Sequence, residues 1–270
     1  MTTLTAVPAD RYLPPPATRQ AAEAAIALFE QSPQAGVWPF LDKTTLVAEL
    51  RDRVHNPFQV NQGGQPFCGP AVVLFELVRT QPVKYVQLCE SLFQTGKFQG
   101  KTQTIVASEK LRRASRGNLL MSQVDWMVLA TLRESENLLF PVEPNAPDLI
   151  RNLAGMTKSW ELIGWIEELL GYSQVKYHPA YLFNDLNALQ AANQTLQAGG
   201  IAIALITAET LLQNKPMPPL PTHWIGLLGG IQIDRRQVHC DLYTWSQKLT
   251  LTTDIESFKK YFWLTITAQP

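Results

Sequence analysis

Apolar positions recur at intervals of three and four through the first two-thirds of the chain, then give way to short continuous or alternating runs. Ala17 to Ser32 is dense in helix formers, and Lys43 to Val54 repeats apolar residues at helical spacing, so two helices are expected there. The same period predicts helices over Pro70 to Val78, Val83 to Phe93, Gln123 to Glu136 and Ser159 to Leu170. Pro70 suits a first turn, where its missing N–H costs little. Gly200 to Thr207 is short and almost wholly apolar and reads as a strand. Thr222 to Ile233, Gln237 to Trp245 and Tyr261 to Ala268 follow as strand candidates, with Asp234, Arg235 and Arg236 as a polar turn. Helices first and antiparallel strands after make an α+β pattern, without a βαβ alternation or a repeat. Pro8 and Pro14 to Pro16 cannot support a helix, so residues 1–16 are expected to be a flexible arm. Residues 17–270 then form a single domain, helical over about 17–172 and β-rich over about 173–270.

Composition narrows the partners. With 270 residues, 46% of them hydrophobic, the chain can bury a sizeable core. Lys plus Arg and Asp plus Glu both number 23, so no global field favours nucleic acid or an anionic membrane. Lys110, Arg112, Arg113 and Arg116 have acidic and apolar neighbours and read as a solvated face. The N-terminus lacks the charged start and apolar run of a secretory signal, and no later stretch suits a membrane span, so synthesis as a soluble cytoplasmic protein is expected. No phosphate-cradling glycine pattern is present, so no nucleotide cofactor is indicated. Cys68, His223, His239 and Cys240 lack the spacing of a zinc site, and no metal is indicated.

Chemistry concentrates at Cys68. An ordinary thiol is mostly protonated at neutral pH, so a nucleophilic cysteine needs a nearby imidazole, a helix N-terminus, or both. Gly69-Pro70-Ala71 begins a helix whose unsatisfied N–H groups favour a thiolate. Attack on an acyl carbon also requires donors for the developing oxyanion. The Cys68 N–H is one candidate, and Gln62, six positions upstream in a glycine-rich loop, is the other. Cys89, between Leu88 and Leu92 on a helix, reads as packing. Among the four histidines, His55, His178 and His239 lie near the loop, before a proline and within a strand, whereas His223 heads the apolar run Trp224 to Leu228.

Asn61-Gln62-Gly63 followed by Cys68 resembles the oxyanion-glutamine and nucleophile segment of papain-like cysteine peptidases, at the same spacing. In that family the catalytic histidine begins an antiparallel hairpin across the cleft, which implies His223 as base and a papain-like fold. Thr244-Trp245-Ser246 resembles the family's Ser-Trp-Gly, placing Tyr243 where the family has the asparagine that orients the histidine. Tyrosine serves that role poorly. Asp241, two residues earlier on the same strand face, is the chosen third member, with Asp234, Thr244 and Gln247 as alternatives. Trp245 would then shield the histidine's bond to its acceptor.

Asp125-Trp126-Met127 reads as part of a packed helix, although Arg133 to Asn137 could line a substrate cleft. With Cys-Gly-Pro-Ala, Asp-Trp-Met, His-Trp and Tyr-Thr-Trp in order, the chain after residue 40 resembles papain-like domains of bacterial effector and polymorphic-toxin proteins. The resemblance implies a cysteine hydrolase acting on a protein or peptide amide. It also implies export by a contractile or other delivery system that uses no signal peptide, with a delivery-apparatus or immunity-protein partner. Glutamine deamidation or transglutamination would use the same acyl-enzyme, and a catalytically idle binding module is the reading from another class.

Overall fold

The computed structural model describes residues 2–6, 10–136, 157–181 and 186–270. The chain is α+β and divides into two compact units. One comprises Tyr12–Gly171; the other combines Met1–Arg11 with Tyr172–Pro270.

The Tyr12–Gly171 unit is helical. Its first four helices are α1 (Pro16–Gln31), α2 (Lys43–His55), α3 (Cys68–Thr80) and α4 (Pro82–Thr95). A small antiparallel hairpin, β2 (Lys97–Gln99) and β3 (Thr104–Val106), leads into α5 (Glu109–Ala114), α6 (Gln123–Glu136) and α7 (Ser159–Trp165), which runs on as a π-helical turn over Ile166–Leu170. Helix α3 is the interior element: Gly69 to Val78 are all buried, and even Glu76 is fully enclosed, ion-paired to Arg79. An apolar helix buried around its whole circumference can hold a residue at its first turn with little freedom. Pro82 starts α4 one residue after Gln81 caps α3.

The second unit carries a seven-stranded antiparallel sheet in the order β1-β8-β7-β6-β5-β9-β4. The strands are β1 (Thr3–Ala6), β4 (Gln174–Pro179), β5 (Ile201–Ile206), β6 (His223–Ile233), β7 (Gln237–Thr244), β8 (Gln247–Asp254) and β9 (Phe262–Gln269). Helices α8 (Asn187–Gln197), α9 (Ala208–Leu211) and α10 (Ile255–Tyr261) lie between strands in the chain. Ala188, Leu189 and Ala192 of α8 join Ala202, Ala204, Ile225, Leu227, Val238, Cys240 and Leu242 in one apolar cluster. Those strand residues recur at every second position, so the cluster marks one face of the sheet.

The expected flexible arm is corrected in part. Thr3 to Ala6 pairs with Thr252 to Leu249 of β8, because alternating small and apolar residues ahead of the first proline can complete a sheet edge. Among the described residues, no helix is long and apolar enough to cross a membrane.

Candidate active site

The cysteine arm is built in the helical unit. After a 3-10 turn at Pro57–Gln59, residues 60–67 form a loop held by its own polar groups. Asn61 Oδ1 accepts from Gly63 N at 2.7 Å, Gln65 N donates to Gln62 O at 2.9 Å, and Phe67 N donates to Gln65 O at 2.8 Å. The Gln62 side-chain Nε2 donates to Gln65 O at 2.9 Å, which fixes the amide within the loop and leaves its second N–H uncommitted by that bond. Gly63 and Gly64 both have positive φ, 58° and 71°. At Gly63 a Cβ would also sit 2.0 Å from Leu120 O, so glycine is required twice over. Gln65 is buried, and neither of its amide atoms has a hydrogen-bond partner among the described residues.

Helix α6 anchors this loop from beneath. Asp125 Oδ2 accepts from Asn61 N at 3.0 Å and from Arg53 Nη2 at 2.8 Å, and Arg53 also donates to Ser122 Oγ. Asp125 and Arg53 are both buried. At the other end of the loop the Phe67 ring lies 6.0 Å from Trp126, whose Nε1 donates to Ser115 Oγ. Cys68 follows as the first residue of α3, half-buried at the helix N-terminus. Gly69 is packed so closely against Thr157 that a Cβ there would meet its side chain at 2.4 Å. Cys89 and Cys240 are buried, and burial raises both thiols, Cys240 to about 12. Thiol chemistry therefore narrows to Cys68. No disulfide joins the three.

The histidine arm lies wholly in the sheet unit. His223 is the first residue of β6, 6% exposed, and pairs with Ile206 of β5. Its Nε2 is 2.8 Å from Thr244 Oγ1, and its ring stacks on Trp245 at 4.7 Å with the planes 27° apart. Burial lowers its pKa to about 4, so the imidazole is neutral at physiological pH. The remaining histidines have local partners: His55 with Glu23, His178 with Thr267 and His239 with Thr252.

Asp241 is not the histidine's partner. Leu227 faces Leu242 across the β6–β7 ladder, so Thr244 and Leu242 share a face with His223, Ile225 and Leu227. Asp241 and Tyr243 point to the opposite face, and Asp241 accepts instead from Thr250 Oγ1. The expectation placed Asp241 correctly on the Tyr243 face, but that face is the wrong one. Asp234 caps the β6–β7 turn by accepting from the Arg236 and Gln237 N–H groups, and Gln247 begins the next strand. Thr244, one of the alternatives, is the residue in place.

Arg133 is buried, paired with Glu161 at 2.8 Å and 5.8 Å from the Trp165 ring, a structural role rather than a cleft-lining one. Asn137 lies outside the described residues. Sequence reasoning did not single out Asp125 as the anchor of the cysteine loop; an aspartate in the first turn of an otherwise apolar helix was the available signal. Among the described residues no cluster of three His, Cys, Asp or Glu side chains could hold a metal ion. No protein-family model matches the chain, and comparison with curated proteins finds no match.

Proposed function

We propose that the chain is a papain-like cysteine hydrolase that attacks an amide carbonyl of a protein or peptide, with Cys68 as nucleophile and His223 as base. One observation carries the reading: the single cysteine that is not buried opens an interior helix directly after a hydrogen-bonded glutamine loop. Cys68 Sγ adds to the carbonyl carbon while its proton passes to His223. The oxyanion is held by the Cys68 N–H and the second N–H of Gln62. His223 then gives the proton to the leaving amine, the C–N bond breaks, and water hydrolyses the thioester. Thr244 accepts from Nε2–H, leaving the Nδ1 lone pair as the basic site, and the Trp245 ring keeps water from that bond.

Because burial keeps His223 neutral, the thiol is deprotonated in step with attack rather than stored as an ion pair. The base is competent above its pKa, so the acid limb of kcat/KM is expected near pH 4 rather than 6.5.

The test is mass spectrometry of a proteome incubated with wild type, Cys68→Ala, His223→Ala and the double variant. New peptide termini made by wild type alone support proteolysis. A one-dalton gain at glutamine or an amine adduct would instead identify deamidation or transglutamination on the same acyl-enzyme. Each single variant is expected to lose about a thousandfold, and the double no more than either, since a nucleophile and its base fail as a unit. No difference between wild type and Cys68→Ala in any channel overturns the reading and leaves an idle binding module.

A further inference from the structure

A concavity lies on the helical unit, in residues that the proposed thiol chemistry does not use. It encloses about 550 Å³ between the segment Val37 to Phe40 and helix α5 with the turn after it. That volume is in the range of small-ligand sites.

Its walls are fixed. Val37 N donates to Phe93 O at 2.9 Å, Trp38 Nε1 donates to Leu92 O at 2.8 Å, and Arg112 Nη1 donates to Val37 O at 3.2 Å. Helix α5 is tied at its start by Ser108, whose N–H and hydroxyl both bond Glu134. Just past its end, Ser115 Oγ donates to Leu111 O and accepts from Trp126 Nε1. Three guanidinium groups, Arg112, Arg113 and Arg116, line the pocket with one carboxylate, Glu109, which Arg113 holds at 2.7 Å. The local balance is therefore two positive charges. Arg112 Nε is shielded from solvent and has no hydrogen-bond acceptor among the described residues. Compensation of a helix dipole accounts for Arg112 and Arg113 in the last turn of α5, but not for Arg116 beyond it. Nor does it account for Phe40, an aromatic ring left 52% exposed at the same pocket.

We infer that this pocket binds a small organophosphate, its phosphate gripped by the arginines and its planar body laid on Phe40. A phosphomonoester carries about −1.5 to −2 charges near pH 7, matching the pocket's excess. Guanidinium forks bind phosphate oxygens in pairs. The Phe40 face, with Pro39 and Val37, offers an apolar platform that inorganic phosphate would leave unused.

The test is titration of the full-length protein with phenyl phosphate and adenosine monophosphate, read by calorimetry and amide NMR. Inorganic phosphate, adenosine and benzoate serve as partial ligands. Both organophosphates are expected to bind and to shift Val37 and Phe40, with each partial ligand at least tenfold weaker. Arg116→Glu should weaken phenyl phosphate at least tenfold, Arg116→Gln less, and Phe40→Ala about fivefold. Cys68→Ala should bind as wild type does, so this outcome is independent of the thiol reading. The inference is overturned if neither organophosphate binds, if inorganic phosphate binds as tightly as they do, or if Arg116→Glu and Phe40→Ala leave affinity unchanged.

Discussion

The cysteine and histidine arms each fix one side chain, Cys68 and His223, with opposite materials. Below Cys68 the loop rests on a buried ion pair, Asp125 with Arg53, and its left-handed backbone positions are glycines, Gly63 and Gly64. Around His223 the partners are neutral, a threonine hydroxyl and an indole face, and the left-handed positions are taken by Trp245 and Ser246. The first arm spends buried charge to hold a relaxed loop. The second avoids charge but accepts backbone strain at Trp245, whose ring lies over the imidazole. Burial among neutral groups, with no carboxylate to stabilise the cation, keeps the His223 imidazole neutral.

The comparison breaks most readily at Asp125. Asp125→Ala leaves Arg53 buried without its counter-ion and frees Asn61 N, so a loss of about 3–5 kcal/mol is expected by urea denaturation. A loss below about 1 kcal/mol would show that the cysteine arm does not depend on charge. His223 comes next. Its folded pKa is about 4 against an ordinary 6.5, so between those values the unfolded chain binds a proton that the native chain refuses. Its contribution is complete above about pH 6.5 and declines as pH falls toward 4, by about 3 kcal/mol in all. His223→Gln should flatten stability across that window; an unchanged slope would assign it to other groups.

Thr244→Val is smaller in stability and more informative about function. Removing the hydroxyl leaves Nε2 buried without that partner, at about 1–2 kcal/mol. If the ring loses its tautomer, kcat should fall about tenfold to a hundredfold with little change in KM. Asp241→Asn should leave kcat within about twofold of wild type, since Asp241 lies on the other face of β7. The reverse ranking of these two variants would restore Asp241 as the orienting residue.

The same contrast explains what could be read from the sequence. Helices α1, α2, α4 and α6 were legible almost to their ends, because apolar spacing and a run of helix formers are local signals. Strands β5, β6, β7 and β9 were legible from apolar runs. Strand β8 was not, since Gln247 to Asp254 is mostly polar and the turn before it lacks an Asn-Gly or Asp-Gly signal. Strand β1 depends on a partner some 250 positions away, which no local window contains. At the candidate site, the expectation for Cys68, Gln62 and His223 rested on residue types together with a family resemblance, and the helix start at Cys68 and the strand start at His223 are where local pattern put them. The Thr244 partner required a register: Asp241 and Thr244 differ by three positions, and which of them faces the histidine depends on the β6–β7 ladder.

The smallest effect tests the strain itself. Trp245 and Ser246 are the two central residues of the β7–β8 hairpin, between paired Thr244 and Gln247, with φ of 45° and 60°. Such two-residue turns favour glycine because an L-side chain in the left-handed region costs about 1–2 kcal/mol. Trp245 cannot be relieved without uncovering His223, but Ser246 can. Against its larger unfolded-state entropy, about 0.5–1 kcal/mol, Ser246→Gly should still stabilise the protein by up to about 1 kcal/mol, measured as a shift of the urea midpoint at constant m. The His223–Trp245 stack, followed by the imidazole's chemical shifts, should be unmoved. If the variant is destabilised instead, the serine side chain supports the turn, and the imidazole arm is held by side-chain contacts as the cysteine arm is.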